Sequence, residues 1–353
     1  MTGARPLILD LDPSGLAEVF AGWGEPAYRA RQVFRALYVD LAASPGEITT
    51  LPQALRQRLD EHFAFAHLTP EITLDSRDGE TRKTLFRLPD GEAIEAVLMR
   101  YEKRRTLCIS TQAGCAMGCV FCATGQMGFR SNLTSGQIVE QVLYYARLLK
   151  AQNDRPTNVV VMGMGEPFHN YDATITAIQR LNHPDGFNFG ARRVTISTVG
   201  LIPQIKRYTQ ERHQMNLAIS LHAADDDLRA AMLPINKRYP IRDLIAACRE
   251  YAQVTGRRVT FEWALIQGVN DTPEQAGKLA GLIGGFESHV NVIPLNPTTG
   301  YNGQAATRER ARAFADALTA RGVPCTIRIR RGIDINAGCG QLAIGTKHQV
   351  TPW

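Results

Sequence analysis

Between residues 106 and 330 two kinds of pattern alternate. Short apolar runs at 106–111, 158–162, 194–197, 216–221, 259–265 and 289–293 predict buried strands, and 326–330 predicts a last one. Between them apolar positions recur every three or four residues, as at 173–181, 241–254 and 308–321. The segment 134–149 opens on Thr134 and Gln137, a capping-box pair that predicts a helix start. A repeated strand–helix order predicts parallel strands joined by right-handed crossovers. Periodicity alone leaves a barrel and an open sheet both standing.

The first hundred residues read differently. Leu16 to Phe20 is apolar, and Glu25-Pro26 signals the start of a further helix. Tyr28, Val33, Phe34, Leu37 and Tyr38 form its stripe. Leu51-Pro52 opens another segment, with Leu55, Leu59 and Phe63 on one face. These aromatic residues are read as core packing. From Glu71 the period shortens, and a turn at Pro89-Asp90-Gly91 separates two strand-like runs, 84–88 and 92–100. Residues 1–100 are therefore expected to form a small α+β accessory unit, 101–345 the α/β core, and 346–353 a tail.

In parallel α/β folds chemistry collects at the C-terminal ends of the strands. The glycine-rich and polar stretches here fall at those ends. Cys115, Cys119 and Cys122 follow the first predicted strand, Gly163-Met164-Gly165-Glu166-Pro167 the second, and Ser197-Thr198 the third. Ser220-Leu221-His222 ends the fourth, and Asn296 follows the sixth.

Bulk properties add limits. The chain has 353 residues, 44% hydrophobic and 21% charged, ordinary for a globular protein. No apolar run approaches the ~20 residues of a membrane-spanning helix. Residues 1–11 lack the basic start and apolar stretch of a signal peptide, so a cytoplasmic location is expected. The 40 Lys and Arg exceed the 34 Asp and Glu by 6, which suits a polyanionic partner but is weak support alone. Seven cysteines in so long a chain do not read as a secreted disulfide framework.

Three of those cysteines stand in C-x3-C-x2-C spacing on one loop. Three thiolates on a tight loop suit three corners of an iron–sulfur cube, which leaves one iron free to take a small molecule. A zinc knuckle is the alternative, but zinc takes four ligands, commonly as paired C-x2-C units or with histidine. No histidine lies near this loop. The loop resembles that of radical-SAM enzymes, in which the free iron chelates S-adenosylmethionine.

The other candidates are ambiguous on their own. Gly163 to Glu166 hints at a dinucleotide fingerprint, but Phe168 stands where its third glycine belongs, and Pro167 disrupts the turn. A tight turn with a solvated Glu166 is the bland reading. Cys339 sits among small residues after the last strand, and Cys108 lies seven residues before Cys115. Thiol or redox chemistry and two unpaired cysteines are equally open readings. His222 alone reads as a hydrogen-bonded core residue, and Glu95 alone as one more solvated carboxylate. Basic clusters at Lys103-Arg104-Arg105, Arg192-Arg193, Arg257-Arg258 and Arg328, Arg330 and Arg331 suit phosphate contact or a solvated face. Cys248 and Cys325 are read as structural.

Taken together, these motifs are specific. Glu95-Ala96-Val97, Cys108, the cysteine loop through Gly125, Gly163 to Pro167, Arg193 to Thr198, Ser220 to Ala223, Leu233 to Lys237 and Asp334 to Leu342 occur in order. The chain thereby resembles, over nearly its whole length, the RlmN/Cfr family of radical-SAM RNA adenosine methyltransferases. The resemblance implies a partial (βα)6 TIM-like barrel and one 4Fe–4S cluster on Cys115, Cys119 and Cys122. It implies S-adenosylmethionine contacts from Gly165, Glu166, Ser197, Ser220, Leu221, His222 and Asn296. It also implies that Cys339 becomes S-methylcysteine at the expense of one S-adenosylmethionine. A second is cleaved to a radical that activates the methyl for addition to the adenine ring. Cys108 then attacks Cys339 and frees the product, leaving a transient disulfide, while Glu95 matches the family's proton acceptor. Two positions depart from the family's Asp-Ala-Ala-Cys tail, Asn336 and Gly338, and His169 replaces an apolar residue.

The activity so implied is methylation of C2 of adenosine in 23S rRNA, at the peptidyl-transferase centre, and of the adenosine 3′ of the tRNA anticodon. The N-terminal unit would engage the RNA, and a low-potential donor such as flavodoxin would supply electrons. The C8-methylating, antibiotic-resistance branch is the nearest alternative. An activase that makes a glycyl radical on a partner protein and a non-enzymatic iron–sulfur RNA-binding module are further ones.

Overall fold

The structure is a computed structural model that describes residues 5–343, so the tail expected at 346–353 lies outside the described residues. The N-terminal region begins with α1 (Pro13–Gly22), α2 (Ala27–Arg35) and α3 (Gln53–His62). Asp12 caps α1 by accepting from Gly15 N at 2.7 Å, with Pro13 in the first turn, where a missing N–H costs nothing. Leu16, Phe20, Val33, Phe34, Leu55 and Leu59 are all buried, as their stripes predict. Three antiparallel strands follow: β1 (Thr69–Asp75), β2 (Thr81–Arg87) and β3 (Ala93–Arg100).

The core then runs β4 (Arg105–Cys108), β5 (Gln112–Gly114), α4 (Ala123–Gln126), β6 (Phe129–Asn132) and α5 (Ser135–Lys150). It continues β7 (Asn158–Val161), α6 (Tyr171–Asn182), β8 (Val194–Thr198), α7 (Ile202–Glu211), β9 (Asn216–Ser220), α8 (Asp226–Met232) and α9 (Ile241–Thr255). The last elements are β10 (Val259–Leu265), α10 (Pro273–Ile283), β11 (Ser288–Pro294), α11 (Arg308–Thr319) and β12 (Cys325–Ile327). Thr134 and Gln137 form the expected capping box at α5.

Strands β4, β7, β8, β9, β10, β11 and β12 pair in that order, all parallel. Six strand–helix units, from β4–α5 to β11–α11, thus build an incomplete barrel that β12 follows. β3 pairs antiparallel with β4, so the three N-terminal strands continue the same ten-stranded sheet. The boundary drawn at residue 100 falls inside that sheet. The largest apolar core likewise runs from Leu7 to Leu342. Arg180 fastens the two regions, donating to Leu9 O and Asp10 O at 2.6 Å each.

Two strand expectations shift. The run at 106–111 splits, because β4 stops at Cys108 and residues 112–114 turn away to pair with β6 in a separate two-stranded sheet. Asn170 holds this break by donating to Thr111 O and Leu133 O. The last strand is Cys325–Ile327 rather than 326–330. Its register with β11 ends at Ile327, and Arg328 N still donates to Val292 O at 2.8 Å before the chain leaves the sheet edge. Among the described residues, no helix is long and apolar enough to cross a membrane.

Candidate active site

The loops at the C-terminal ends of the parallel strands enclose one cavity. Cys115, Cys119 and Cys122 line it together with Gly165, Glu166, Ser197, Ser220, His222, Asn296 and Cys339. The structure therefore gathers ten residues singled out from the sequence into one place. Leu221 is fully buried behind Ser220 and His222. Cys108 lines an adjoining cavity, and Cys122, Asn296 and Cys339 are common to both.

The cysteine loop is shaped by its own backbone. Cys115 N donates to Gly128 O at 2.9 Å, and Cys122 N closes a turn on Cys119 O at 3.1 Å. Cys115 and Cys119 are buried and Cys122 half-buried. Burial pushes all three thiols up, Cys115 to about 12. A buried thiolate without a nearby cation is unfavourable, and a bound metal reverses that balance. Among the described residues no group of His, Cys, Asp or Glu converges closely enough to hold a single metal ion. The three thiols face one cavity from one loop, a donor set that suits an iron–sulfur group.

The loop after β7 is forced to be glycine-rich. A Cβ on Gly163 would stand 2.6 Å from Ser110 Oγ and 2.7 Å from Ile109 backbone. Gly165 has φ +99°, and a Cβ there would lie 2.6 Å from the Gln112 side chain. Glu166 is not the solvated carboxylate of the bland reading. It is buried, and Phe168 N and Val199 N each donate to one of its oxygens at 2.9 Å. These bonds join the β7 and β8 loops. Burial raises its carboxyl to about 7.

His222 has a positive φ of 60°. Ala264 N donates to its Nδ1 at 2.9 Å, so in the neutral ring Nε2 carries the proton. Burial, then the Arg229 cation, push this imidazole down to about 3. Phe121 of the cysteine loop packs edge-on against it, ring centres 5.0 Å apart. Asn296 donates through Nδ2 to Cys339 O at 3.0 Å, while its Oδ1 is buried with no protein partner. That orphaned acceptor in the cavity wall, with the two glycines and the His222 ring that also line it, fits a polar ligand such as S-adenosylmethionine.

The segment carrying Cys339 is bound to the cysteine loop. Ala123 N donates to Gly340 O at 2.8 Å, and Thr124 Oγ1 to Leu342 O at 2.6 Å. Cys339 is exposed, but to the cavities rather than to the outer surface. Burial raises its thiol, with Glu262 as the next cause. Cys108 is raised further, by burial and then by Cys339 itself. The disulfide implied for this pair is not supported here, since all seven cysteines are free. A bridge formed only in turnover is no standing element of the fold.

Glu95 lies elsewhere. It lines neither cavity, is 3% exposed, and pairs with buried Lys83 at 2.9 Å. Ala343 N donates to it at 2.9 Å, and Lys83 also donates to Asn336 O at 3.2 Å. The pair thus grips both ends of the Cys339 segment. His169 accepts from Gln112, whose Oε1 takes Glu166 N, so this departure from the family joins the same loop network.

Two site residues escaped the sequence reading. Arg229 is fully buried and donates to Val199 O, Ser220 O, Leu221 O and Asn236 Oδ1, which fixes the β8 and β9 loop ends. Glu262, in mid-strand β10, faces the cavity and accepts from Asn291 at 2.9 Å. Arg229 follows a run of aspartates and reads as a solvated helix charge. Glu262 carried one usable signal, a carboxylate inside an apolar strand.

Known proteins give independent support. The Radical SAM superfamily model matches residues 109–280, and that of the ribosomal RNA large subunit methyltransferase N-terminal domain matches 7–65. A probable dual-specificity RNA methyltransferase RlmN of Chloroflexus aurantiacus is 51% identical, covering 95% of this chain and 92% of its own. Dual-specificity RNA methyltransferase RlmN 1 of Myxococcus xanthus is 49% identical, covering 95% and 93%. The crystal structure of a radical SAM methyltransferase from Sphaerobacter thermophilus superposes with a TM-score of 0.94 at 50% identity, covering 96% of this chain and 99% of that one. With the radical-SAM region and the N-terminal region both matched, and relatives about half identical along nearly the whole chain, the chain belongs to the RlmN family of radical-SAM methyltransferases.

Proposed function

We propose that the chain methylates C2 of adenosine in RNA, with Cys339 as the covalent carrier of the methyl group. The observation that carries this is the placement of Cys339. Its segment is hydrogen-bonded to the cysteine loop, and its thiol opens on the cavity of that loop and on that of Cys108. Relatives named dual-specificity RNA methyltransferases, matched along almost the whole chain, support 23S rRNA and tRNA as substrates. They favour C2 over the C8 branch.

Cys115, Cys119 and Cys122 would hold one 4Fe–4S cluster, which with S-adenosylmethionine supplies, when bound, one-electron chemistry that generates a carbon radical. Glu166 and the Gly165 backbone receive the methionine ammonium, and Asn296 Oδ1 and His222 Nε2–H offer an acceptor and a donor. Ser197 and Ser220, whose hydroxyls stand 3.4 Å apart, and Leu221 complete the contact. Cys339 takes the methyl as a nucleophile, losing its thiol proton, so two S-adenosylmethionines are used per turnover. Cys108, as the thiolate, resolves the adduct by attacking the Cys339 sulfur: an S–S bond forms, the bond from sulfur to the transferred methylene breaks, its electron pair and a proton stay with the product, and a thiol reductant then reduces the disulfide for the next turnover. Glu95 is assigned the ring proton, with Lys83 as its counter-ion. Residues 1–100 engage the RNA, and 101–345 do the chemistry. The cytoplasm, and a low-potential donor such as flavodoxin, suit such a centre.

The test is nucleoside mass analysis after anaerobic incubation with reductant, methyl-labelled S-adenosylmethionine, and unmodified rRNA and tRNA. Labelled 2-methyladenosine is expected in both RNAs. 8-Methyladenosine alone would overturn the regiochemistry, and no labelled adenosine, with S-adenosylmethionine still cleaved, the RNA assignment.

A further inference from the structure

The barrel has a second large cavity at its opposite end. It is lined by the first residues of the strands, among them Asn158, Asn216 and His289, whereas the active-site loops leave the other ends. Five arginines converge on it: Arg104, Arg192, Arg257, Arg258 and Arg328. Among the described residues none of the five forms an ion pair with a carboxylate. Arg257 instead donates to Asn216 at 2.8 Å, and Arg192 to Gln214 at 3.4 Å. Arg104 lies over the Tyr101 ring.

Among the described residues two carboxylates line this space, Glu262 at its floor and Glu287. The Glu262 carboxylate is already engaged by Asn291. Two further polar atoms are buried in the wall with no partner, Arg257 Nε and His289 Nδ1. Five guanidiniums drawn together from four stretches of chain repel one another, and among the described residues lining the cavity two carboxylates face them. Guanidinium forks facing a concave polar space are the usual means of holding phosphate.

We propose that this cavity binds a small phosphorylated anion, of the pyrophosphate or nucleoside-polyphosphate class. Arg104, Arg192, Arg257 and Arg258 stand just before β4, β8 and β10, at the end of the barrel away from the cysteine loop, while Met162 and Glu262, at mid-barrel, line both this cavity and that of the cysteine loop. The cavity is also floored by Glu262 and Asn291, which suits a discrete anion better than a polynucleotide running past.

The experiment is calorimetric titration of the reconstituted enzyme with inorganic pyrophosphate and ATP at constant ionic strength. A parallel titration uses an oligoribonucleotide without adenosine. Saturable binding of pyrophosphate or ATP is expected. It should weaken at least tenfold in the double variant Arg192→Gln with Arg258→Gln, both exposed residues, and stay unchanged in Arg242→Gln, whose arginine pairs with Asp243 away from the cavity. Restoration by Arg192→Lys with Arg258→Lys to within about threefold would add support and show that charge is what the site reads. No saturable binding, or equal weakening in Arg242→Gln, would overturn the proposal. So would a loss confined to the oligoribonucleotide, which would make the cavity part of the RNA surface. S-adenosylmethionine cleavage without RNA should be unchanged in the double variant, whatever becomes of the methyltransferase reading.

Discussion

At the scale of single residues, environment outweighs identity. Glu95, read alone, is a solvated carboxylate; in the fold it is buried against Lys83 and the Cys339 segment. Removing one partner of a buried ion pair typically costs about 3–5 kcal/mol, because the other charge stays behind. Lys83→Ala is therefore expected to lose about that much in urea unfolding, and to impair methyl transfer more than S-adenosylmethionine cleavage. A loss below about 1 kcal/mol would mean water reaches the pair. His222 is pushed down to about 3, against about 6.5 in an unfolded chain. Between those values the unfolded chain binds more protons, so the stability from the neutral ring is fully present above about pH 6.5 and falls away as pH drops towards 3. The ring's NMR shifts should accordingly stay flat from pH 8 to 5, and a titration midpoint near 6.5 would refute the burial argument. Cysteine spacing made the proposed cluster ligands legible. Arg229 and Glu262 were not, because only folding shows that a charged side chain turns inward.

At the scale of elements, the strands were legible because buried parallel strands are continuous apolar runs. The break after Cys108 was not, since the apolar run continues into Ile109, whose N still donates to Val160 O, before residues 112–114 turn away to β6. The loops behave as one network. Arg229 binds three carbonyls from two loop ends. Lysine lacks the fork to reach them all. Arg229→Lys should thus weaken S-adenosylmethionine binding about tenfold or more with a smaller change in melting temperature, read by equilibrium dialysis. Gly165→Ala places a methyl group against Gln112 at a φ only glycine adopts readily, a strain of about 1–3 kcal/mol. Deoxyadenosine release should fall at least tenfold. Retention of full cleavage would show that the loop can shift without cost to the site.

At the scale of the whole molecule, two parts that read as distinct in sequence share a sheet. The helical and hairpin patterns of residues 1–100 were legible, but their attachment was not, because no periodicity records which strand is an edge. β3 covers the edge of β4. A fragment starting at residue 101 would expose that edge and the apolar face beneath α1 to α3, so it is expected to be insoluble. A soluble, folded fragment of that kind would show that the sheet tolerates the loss. Cys339→Ala tests the other end of the chain. It should abolish RNA methylation while leaving reductive cleavage within about threefold of the parent.

The continuous sheet also bears on how the protein melts. One apolar core joins Leu7 to Leu342, and the strand order leaves no seam between the region that would meet RNA and the region that would do chemistry. Such a chain is expected to melt in one calorimetric transition rather than in separate N-terminal and core transitions, which differential scanning calorimetry would check. It follows that damage at either end is shared: a lesion in α1 or β2 reaches the cysteine loop as lost cooperativity of the whole, and the N-terminal unit is no module to be exchanged between enzymes.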